Sequence, residues 1–382
     1  MRTIYDQKFR FASSFDPETG VYVRTSVHDA KGLDTGRDAF MASFPHLLDV
    51  GIMGHCQHGL SGHCARSGVQ CYQNGPNRFE ENMRLEDFKR LADECSGQVY
   101  QFALGGRGDP DMHEHFEGIL AYSRERGIVP NLTTSGWGLT RAKARLMKQY
   151  CGAAAVSWYG LEHTLAAIEL LLEEGVKTNI HYVLSNRSLE AAIRFLEAGE
   201  APAGIHRVIF LLHKPVGLGQ SRNVLSVFDP RARYFFDLFN REEIRRRAGF
   251  DSCSVPALLN LAPGVHGASL ETCEGARFSA YVTPDLKLLP CSFDQDQRWA
   301  VDLRGSTIEH AWHSAAFEDF RSRLRGSCTG CPLQELCLGG CPISRAIVLC
   351  GNVQGDLREG LRGRPRERLW ETPRDAQGGW GR

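Results

Sequence analysis

Residues 47–75, LLDVGIMGHCQHGLSGHCARSGVQCYQNG, decide the fold. Leu47–Met53 is an apolar run of strand length. A glycine-rich loop follows at once and carries Cys56, Cys64 and Cys71. One loop thus delivers three thiols. A structural zinc site takes four ligands, so three leave a coordination position open. That arrangement suits an iron–sulfur cluster that must bind a substrate at its unique iron. The far end of the chain carries Cys328, Cys331, Cys337 and Cys341, spaced C-x2-C-x5-C-x3-C, and then Cys350. Cys253, Cys273 and Cys291 stand upstream of them.

The 382 residues suffice for one large domain and a smaller one. Lys+Arg and Asp+Glu both number 45. This neutral balance argues against nucleic acid or an anionic membrane as a partner held by bulk charge. No run approaches the roughly 18 apolar residues of a membrane span. The opening MRTIYDQKFRF has no apolar signal core, which predicts a cytoplasmic protein. In a reducing compartment the 13 cysteines read as metal ligands. A secreted disulfide framework is the alternative; the missing signal and the C-x2-C spacing disfavour it.

Residues 1–45 read as a short N-terminal extension, with 9–15 and 21–27 flanking the turn 16–20 as a hairpin. From 46 to 225 two patterns alternate. Strands are predicted at 47–53, 98–104, 129–134, 153–158, 177–184 and 207–212, and helices at 85–94, 113–126, 139–150, 163–174 and 188–198. Alternation of this kind implies an α/β fold with a parallel sheet and right-handed crossovers. Six units make a partial (β/α)6 barrel of the TIM type rather than a closed eightfold one. Ligands in such folds sit at the C-terminal ends of the strands, where the cysteine loop begins. Residues 226–272 form a mixed bridge in which 231–247 reads as a charged, solvated helix. Residues 273–350 hold the second cysteine group. The segment 351–382, rich in Gly, Arg and Pro, reads as a disordered tail.

Several shorter motifs lie at strand ends. Gly105-Gly106-Arg107-Gly108-Asp109-Pro110 follows the second strand. Its glycines allow backbone to approach a ligand closely, an ordinary tight turn being the alternative. Thr133-Thr134-Ser135, Ser157 and Ser185-Asn186 close the third, fourth and fifth strands, and Gly217-Leu218-Gly219 follows the sixth. His213-Lys214 ends the sixth strand; His213 is a candidate for proton transfer, a solvated loop the plainer reading. His55, His58 and His63 crowd the cysteine loop, but thiolate is the preferred iron–sulfur ligand. Tyr72 reads equally as a cofactor contact or a core aromatic. Cys95 and Cys151 fall on helical patterns and read as structural. Alone, Cys328, Cys331, Cys337 and Cys341 would also suit a zinc ribbon, a reading weakened by the other cysteines nearby.

Taken together these motifs resemble the radical S-adenosylmethionine (SAM) superfamily with a C-terminal SPASM domain, over about residues 47 to 350. The resemblance is carried by Cys273-Glu274-Gly275, by Ala280 to Asp285, by Leu289-Pro290-Cys291, by CTGCPLQELCLGGCP and by Cys350. Residues 307–321 resemble the helix that precedes the family's cysteine knot. The resemblance implies a SAM-binding [4Fe–4S] cluster on Cys56, Cys64 and Cys71. It implies Gly105, Gly106 and Asp109 at the amino end of SAM. Thr134, Ser135, Ser157, Ser185 and Asn186 would meet its ribose and carboxylate, and Gly217 its adenine side. Two auxiliary [4Fe–4S] clusters are implied as well. Cys328, Cys331, Cys337 and Cys350 would hold the outer one, and Cys273, Cys291 and Cys341 the inner one. Two closed clusters need eight thiolates, and the region holds eight cysteines. Cys253 is therefore the expected fourth inner ligand, a buried free thiol the alternative.

The pattern departs from the family in four places. The first triad is spaced C-x7-C-x6-C instead of C-x3-C-x2-C, Arg107 stands where an acid is usual, and Leu286 replaces a glycine. Sulfatase-maturing members carry an aspartate proton acceptor where this chain has Ser292; Asp294, two positions on, is the remaining candidate. The resemblance implies an enzyme that cleaves SAM to a 5′-deoxyadenosyl radical and abstracts hydrogen from a substrate, the auxiliary clusters accepting an electron. A ribosomally made peptide is the expected substrate, and a flavodoxin or ferredoxin the expected electron donor. A leader peptide could add as a strand to the N-terminal hairpin. The rivals are a sulfatase-maturase-like enzyme, disfavoured by Ser292, a small-molecule dehydrogenase, and a non-catalytic electron carrier.

Overall fold

The computed structural model describes residues 1–350 apart from 67, 69, 326, 327, 329, 345 and 348. The expected tail, 351–382, lies outside the described residues. Strands β1 (Arg2–Asp6), β2 (Phe11–Phe15) and β3 (Tyr22–Arg24) form an antiparallel sheet in the order β1-β2-β3. The hairpin expected here is present, and β1 extends it by one strand that the sequence reading missed.

The barrel strands follow: β4 (Leu47–Met53), β5 (Gln101–Gly106), β6 (Val129–Thr134), β7 (Ala154–Ser157), β8 (Thr178–Leu184) and β9 (Arg207–Leu212). Each pairs in parallel with the next. The helices Leu85–Cys95, Phe116–Glu125, Arg141–Tyr150, Glu162–Glu173 and Leu189–Ala198 make the crossovers. Their apolar faces follow the helical period: Phe88, Leu91, Ala92 and Cys95 are the buried residues of the first. Cys95 is thus a core residue. Thr140 caps the third helix by accepting from the Lys143 N–H, and Gly199 ends the fifth at φ 65°.

Three features bind the rest of the chain to this barrel. First, β10 (Ala248–Phe250) adds in parallel to β9. The stretch 231–247 before it is not one solvated helix. It breaks into Pro230–Asp237 and Glu242–Arg245, because Phe235, Phe236 and Phe239 turn inward against Phe210 and Phe250. Burying each such ring contributes roughly 1.5–3 kcal/mol, which outweighs solvating the charged neighbours. Second, β11 (Ser279–Val282) adds in parallel to the other barrel edge, beside β4, and leads to β12 (Lys287–Leu289) and β13 (Val301–Asp302). The C-terminal cysteine region therefore shares one ten-stranded sheet with the barrel. Leu286, in the β11–β12 turn, has φ 64°. A glycine would take that conformation without strain; here burial of the leucine side chain in the core offsets it. Third, the N-terminal sheet lies under the barrel. Lys177 Nζ donates to the carbonyls of Glu18 (2.9 Å) and Thr19 (3.0 Å) at the hairpin tip. Phe15 packs with Tyr100 and Val129, and Phe11 with Phe278. Between hairpin and sheet lies a partly open cavity of about 310 Å3. No helix among the described residues is long and apolar enough to cross a membrane.

Candidate functional site

A second cavity, of about 250 Å3, opens at the C-terminal ends of β4 to β7. Its wall contains all three cysteines of the first loop. Cys56 caps the short helix Gln57–Leu60, and its Sγ accepts the Gly59 N–H at 3.2 Å. A hydrogen bond with Cys64, assisted by that N–H, holds the Cys56 thiol down to about 6 against its burial. The same bond and burial push Cys64 up, and burial pushes Cys71 up. Among the described residues no group of three or more His, Cys, Asp or Glu side chains is placed to hold a single metal ion. Three converging thiols beside an open cavity fit a multinuclear cluster, whose thiolates bind separate iron atoms.

Glycines let the loop approach the sheet. A Cβ on Gly54 would lie 2.0 Å from the Glu81 carbonyl oxygen. In the Gly105-Gly106-Arg107-Gly108 turn the glycines divide their work. Gly106, at φ 118°, and Gly108 are pressed against Met53 and His55, so they serve packing of the turn on β4. Gly105 has nothing within 4 Å of its missing side chain and faces the cavity, so it alone of the three leaves room for a ligand. Arg107 is buried and turned back. It donates to the Gly54 carbonyl (3.0 Å) and pairs with Glu80 (2.6 Å), bracing the cysteine loop.

Asp109 lines the cavity. Its carboxylate accepts from Ser135 through N–H and Oγ and meets His58 Nε2 at 3.0 Å, which raises the His58 pKa. Ser135 and Ser157 also line the cavity. Thr134 does not; its hydroxyl donates to buried Asp111 at 2.8 Å. Ser185 caps the turn to Ser188, and Asn186 Nδ2 holds the Val224 carbonyl at 2.6 Å, so both brace the segment after β8. Gly217, at φ 60°, lies where a Cβ would meet the Tyr72 carbonyl oxygen at 2.2 Å, and Leu218 N–H donates to Cys71. It closes the cysteine loop rather than lining the cavity. The histidines are engaged too: His55 stacks on Phe79 and His63 packs on Trp137.

His213 is buried and holds the Gln220 carbonyl, away from the cavity. Asp294 accepts the backbone N–H groups of Arg298 and Trp299, both at 3.1 Å, and so shapes a turn; Ser292 enters the cavity instead. Tyr72 packs on Phe293 with ring centroids 4.5 Å apart and planes tilted by 40°, and Lys214 Nζ lies 3.9 Å from the centre of the same Phe293 ring. Lys214 is buried and paired with Asp251 at 3.1 Å. This contact links the first cysteine loop to the second cysteine region.

There the thiols sort into two sets by mutual electrostatic influence. Cys253, Cys273, Cys291 and Cys341 form one, and Cys328, Cys331, Cys337 and Cys350 the other. Burial dominates both: it pushes Cys273 and Cys337 up to about 11 and Cys253 far above its usual value. One cavity residue carries no sequence motif at all. Asp49, in the middle of β4, projects into the site; its only signal was a lone acid in an apolar strand.

No protein-family model matches the chain. It is similar to the PqqA peptide cyclase of Granulibacter bethesdensis, with 25% identity over 316 residues, 75% of this chain and 82% of the relative. It is also similar to the AdoMet-dependent heme synthase of Methanosarcina barkeri, with 23% identity over 334 residues, 78% of this chain and 92% of the relative. Among solved structures the fold is shared with Streptococcus suis SuiB bound to its precursor peptide SuiA. That match has a TM-score of 0.62 and 16% identity, and covers 81% of this chain and 77% of SuiB.

Proposed function

We propose that the chain is a radical SAM enzyme that modifies a ribosomally made peptide. The observation that carries this reading is the convergence of Cys56, Cys64 and Cys71 on one cavity at the strand ends, with Gly105 open beside them. The sequence likeness to a peptide cyclase and the fold shared with SuiB support it.

In this reading Cys56, Cys64 and Cys71 hold a [4Fe–4S] cluster. When bound, cluster and SAM supply a 5′-deoxyadenosyl radical that takes a hydrogen atom from the substrate. The chain's own residues do the positioning. Gly105 offers backbone without a side chain to the amino end of SAM, and Asp109 holds Ser135 and His58 fixed at the rim. Arg107 and Gly217 hold the cysteine loop against the sheet. Thr134, Ser185 and Asn186 act behind the cavity wall, as supports, and Gly106 packs the turn on β4. Cys253, Cys273, Cys291 and Cys341 would hold an inner auxiliary cluster, and Cys328, Cys331, Cys337 and Cys350 an outer one. Both sets would then be closed, which suits electron transfer rather than substrate binding. A small electron-donor protein such as a flavodoxin or ferredoxin would supply the reducing electron. The leader of the peptide would add as a strand at an edge of the β1–β3 sheet.

The test is anaerobic reconstitution with iron and sulfide, then incubation with SAM and dithionite. About twelve irons per chain and release of 5′-deoxyadenosine are expected. Short peptides encoded beside the gene should lose mass or gain a cross-link in the same reaction. Conversion of an iron-porphyrin precursor, with every peptide unchanged, would move the assignment to the heme-synthase side. Failure to cleave SAM at full iron loading would leave only an electron carrier.

A further inference from the structure

Asp49 has no part in the roles above. On β4 its register neighbours are Ala103 on β5 and Tyr281 on β11. Asp49, Ala103 and Tyr281 all line the cavity. Ala103 is small and leaves room beside the carboxylate. Tyr281 stands on the other side, with its hydroxyl over Gly51, and Tyr72 completes the wall. Among the described residues the Asp49 carboxylate has neither a hydrogen bond nor an ion pair, and burial alone pushes it up to about 7. The other carboxylate of the cavity, Asp109, is already taken by Ser135 and His58. Asp49 is only partly exposed at the cavity wall; a carboxylate shielded from water without a counter-charge is penalised, and a ligand that supplies the charge recovers that penalty.

We propose that Asp49 seats a cationic side chain of the substrate, so that the peptide presents a lysine or arginine in this cavity. The inference rests on the peptide-modifying reading above and narrows its substrate. An ammonium or guanidinium gains a charge-assisted bond to the carboxylate, with Tyr72 and Tyr281 on the same cavity wall. SAM also carries an amine, but Asp49 lies deeper than the strand ends. It precedes by two residues Gly51, the partner of Gly105, whereas Gly105, Ser135 and Ser157 lie at strand termini.

Calorimetric titration of the reconstituted, SAM-bound enzyme tests this. n-Butylammonium and n-propylguanidinium serve as side-chain probes, with n-butanol and butyrate as neutral and anionic controls. At least one of the cations should bind at least tenfold more tightly than n-butanol. Asp49→Asn should abolish that preference and Asp49→Glu should retain it. Equal binding of butanol and both cations overturns the proposal, as does undiminished cation binding by Asp49→Asn. If Asp49→Asn instead weakens SAM tenfold, the carboxylate serves SAM and the proposal falls. The isosteric Asn removes a lone buried charge, so its melting temperature should match or exceed the wild type; a loss of folding would shift the decision to Asp49→Glu. SAM cleavage by the wild type separates the two readings. Cleavage without cation preference sinks this inference alone, and absence of cleavage sinks the peptide-modifying reading.

Discussion

The two cysteine regions sit beside each other on one sheet, the first after β4 and the second around β11 and β12, yet they are built differently. The first brings three thiols to an open cavity, and a neighbouring thiol with a backbone N–H holds Cys56 near 6. The second brings two sets of four, in which burial pushes thiols such as Cys273 and Cys337 up to about 11. In the proposed reading, ligand number and access, rather than cysteine as such, separate a site open to a small molecule from one closed to it. Lys214 lies over Phe293, which packs on Tyr72 of the first loop, while the lysine's charge acts on Cys253 and Cys291 of the second region.

The largest effect should come from removing the first triad. Cys56, Cys64 and Cys71 replaced together by Ala should lower iron from about twelve to about eight per chain and abolish 5′-deoxyadenosine formation, by roughly a thousandfold or more. Replacing Cys273 and Cys291 should leave SAM cleavage and stop peptide modification. Equal loss of SAM cleavage in both variants would break the division of labour.

Next comes the glycine turn. Gly106→Ala places a Cβ 2.4 Å from the Met53 carbonyl at φ 118°, so it should cost about 2–4 kcal/mol in urea unfolding. Gly105→Ala should unfold like the wild type but bind SAM several-fold more weakly. The reverse outcome would mean that Gly105 faces no ligand.

Acid should loosen both regions together, because they share support from buried His46. Burial, with Arg24 nearby, lowers this histidine to about 4; neutral, it accepts from the Tyr22 hydroxyl at 2.6 Å. The unfolded chain protonates near 6.5 and the folded one only near 4. The stabilisation is therefore full above about pH 6.5 and is lost as pH falls toward 4, by about 2–3 kcal/mol. Urea midpoints across that range should fall for the wild type and less steeply for His46→Gln.

The smallest effect sharpens the second region. Cys253→Ala should leave SAM cleavage intact, change the electron paramagnetic resonance of the inner set and slow peptide turnover about tenfold. Cys95→Ala, altering a core residue, should change stability without touching either readout. An unchanged spectrum for Cys253→Ala would make it a plain buried thiol.

Local patterns carried most of the architecture. The apolar runs of β4, β6 and β9 were legible to within a residue, and the helical periods between them to within about three, because burial of the apolar positions in these elements writes their period into the local sequence. The grouping of the C-terminal cysteines rests on the family resemblance and on the count of eight thiols; electrostatically, Cys253 lies near Cys273 and Cys341. Strand-end motifs were legible as positions but not as directions. Thr134 turns to buried Asp111, Ser185 and Asn186 brace the segment after β8 and Gly217 packs under the Tyr72 carbonyl, while Ser135 and Ser157 line the cavity. Asp294 looked like an acid near the site and is a turn-forming acceptor.

By itself, then, the sequence determined the (β/α)6 order, the position of the first thiol triad and the count of thiols at the far end, since each depends on residues close in the chain. Only the tertiary structure decided the docking of β11 on β4, the seating of the N-terminal hairpin beneath the barrel and the exposure of Asp49 to the cavity. Each of those is set by register between strands remote in sequence, and a shift of one residue would have sent the same side chain to the opposite face.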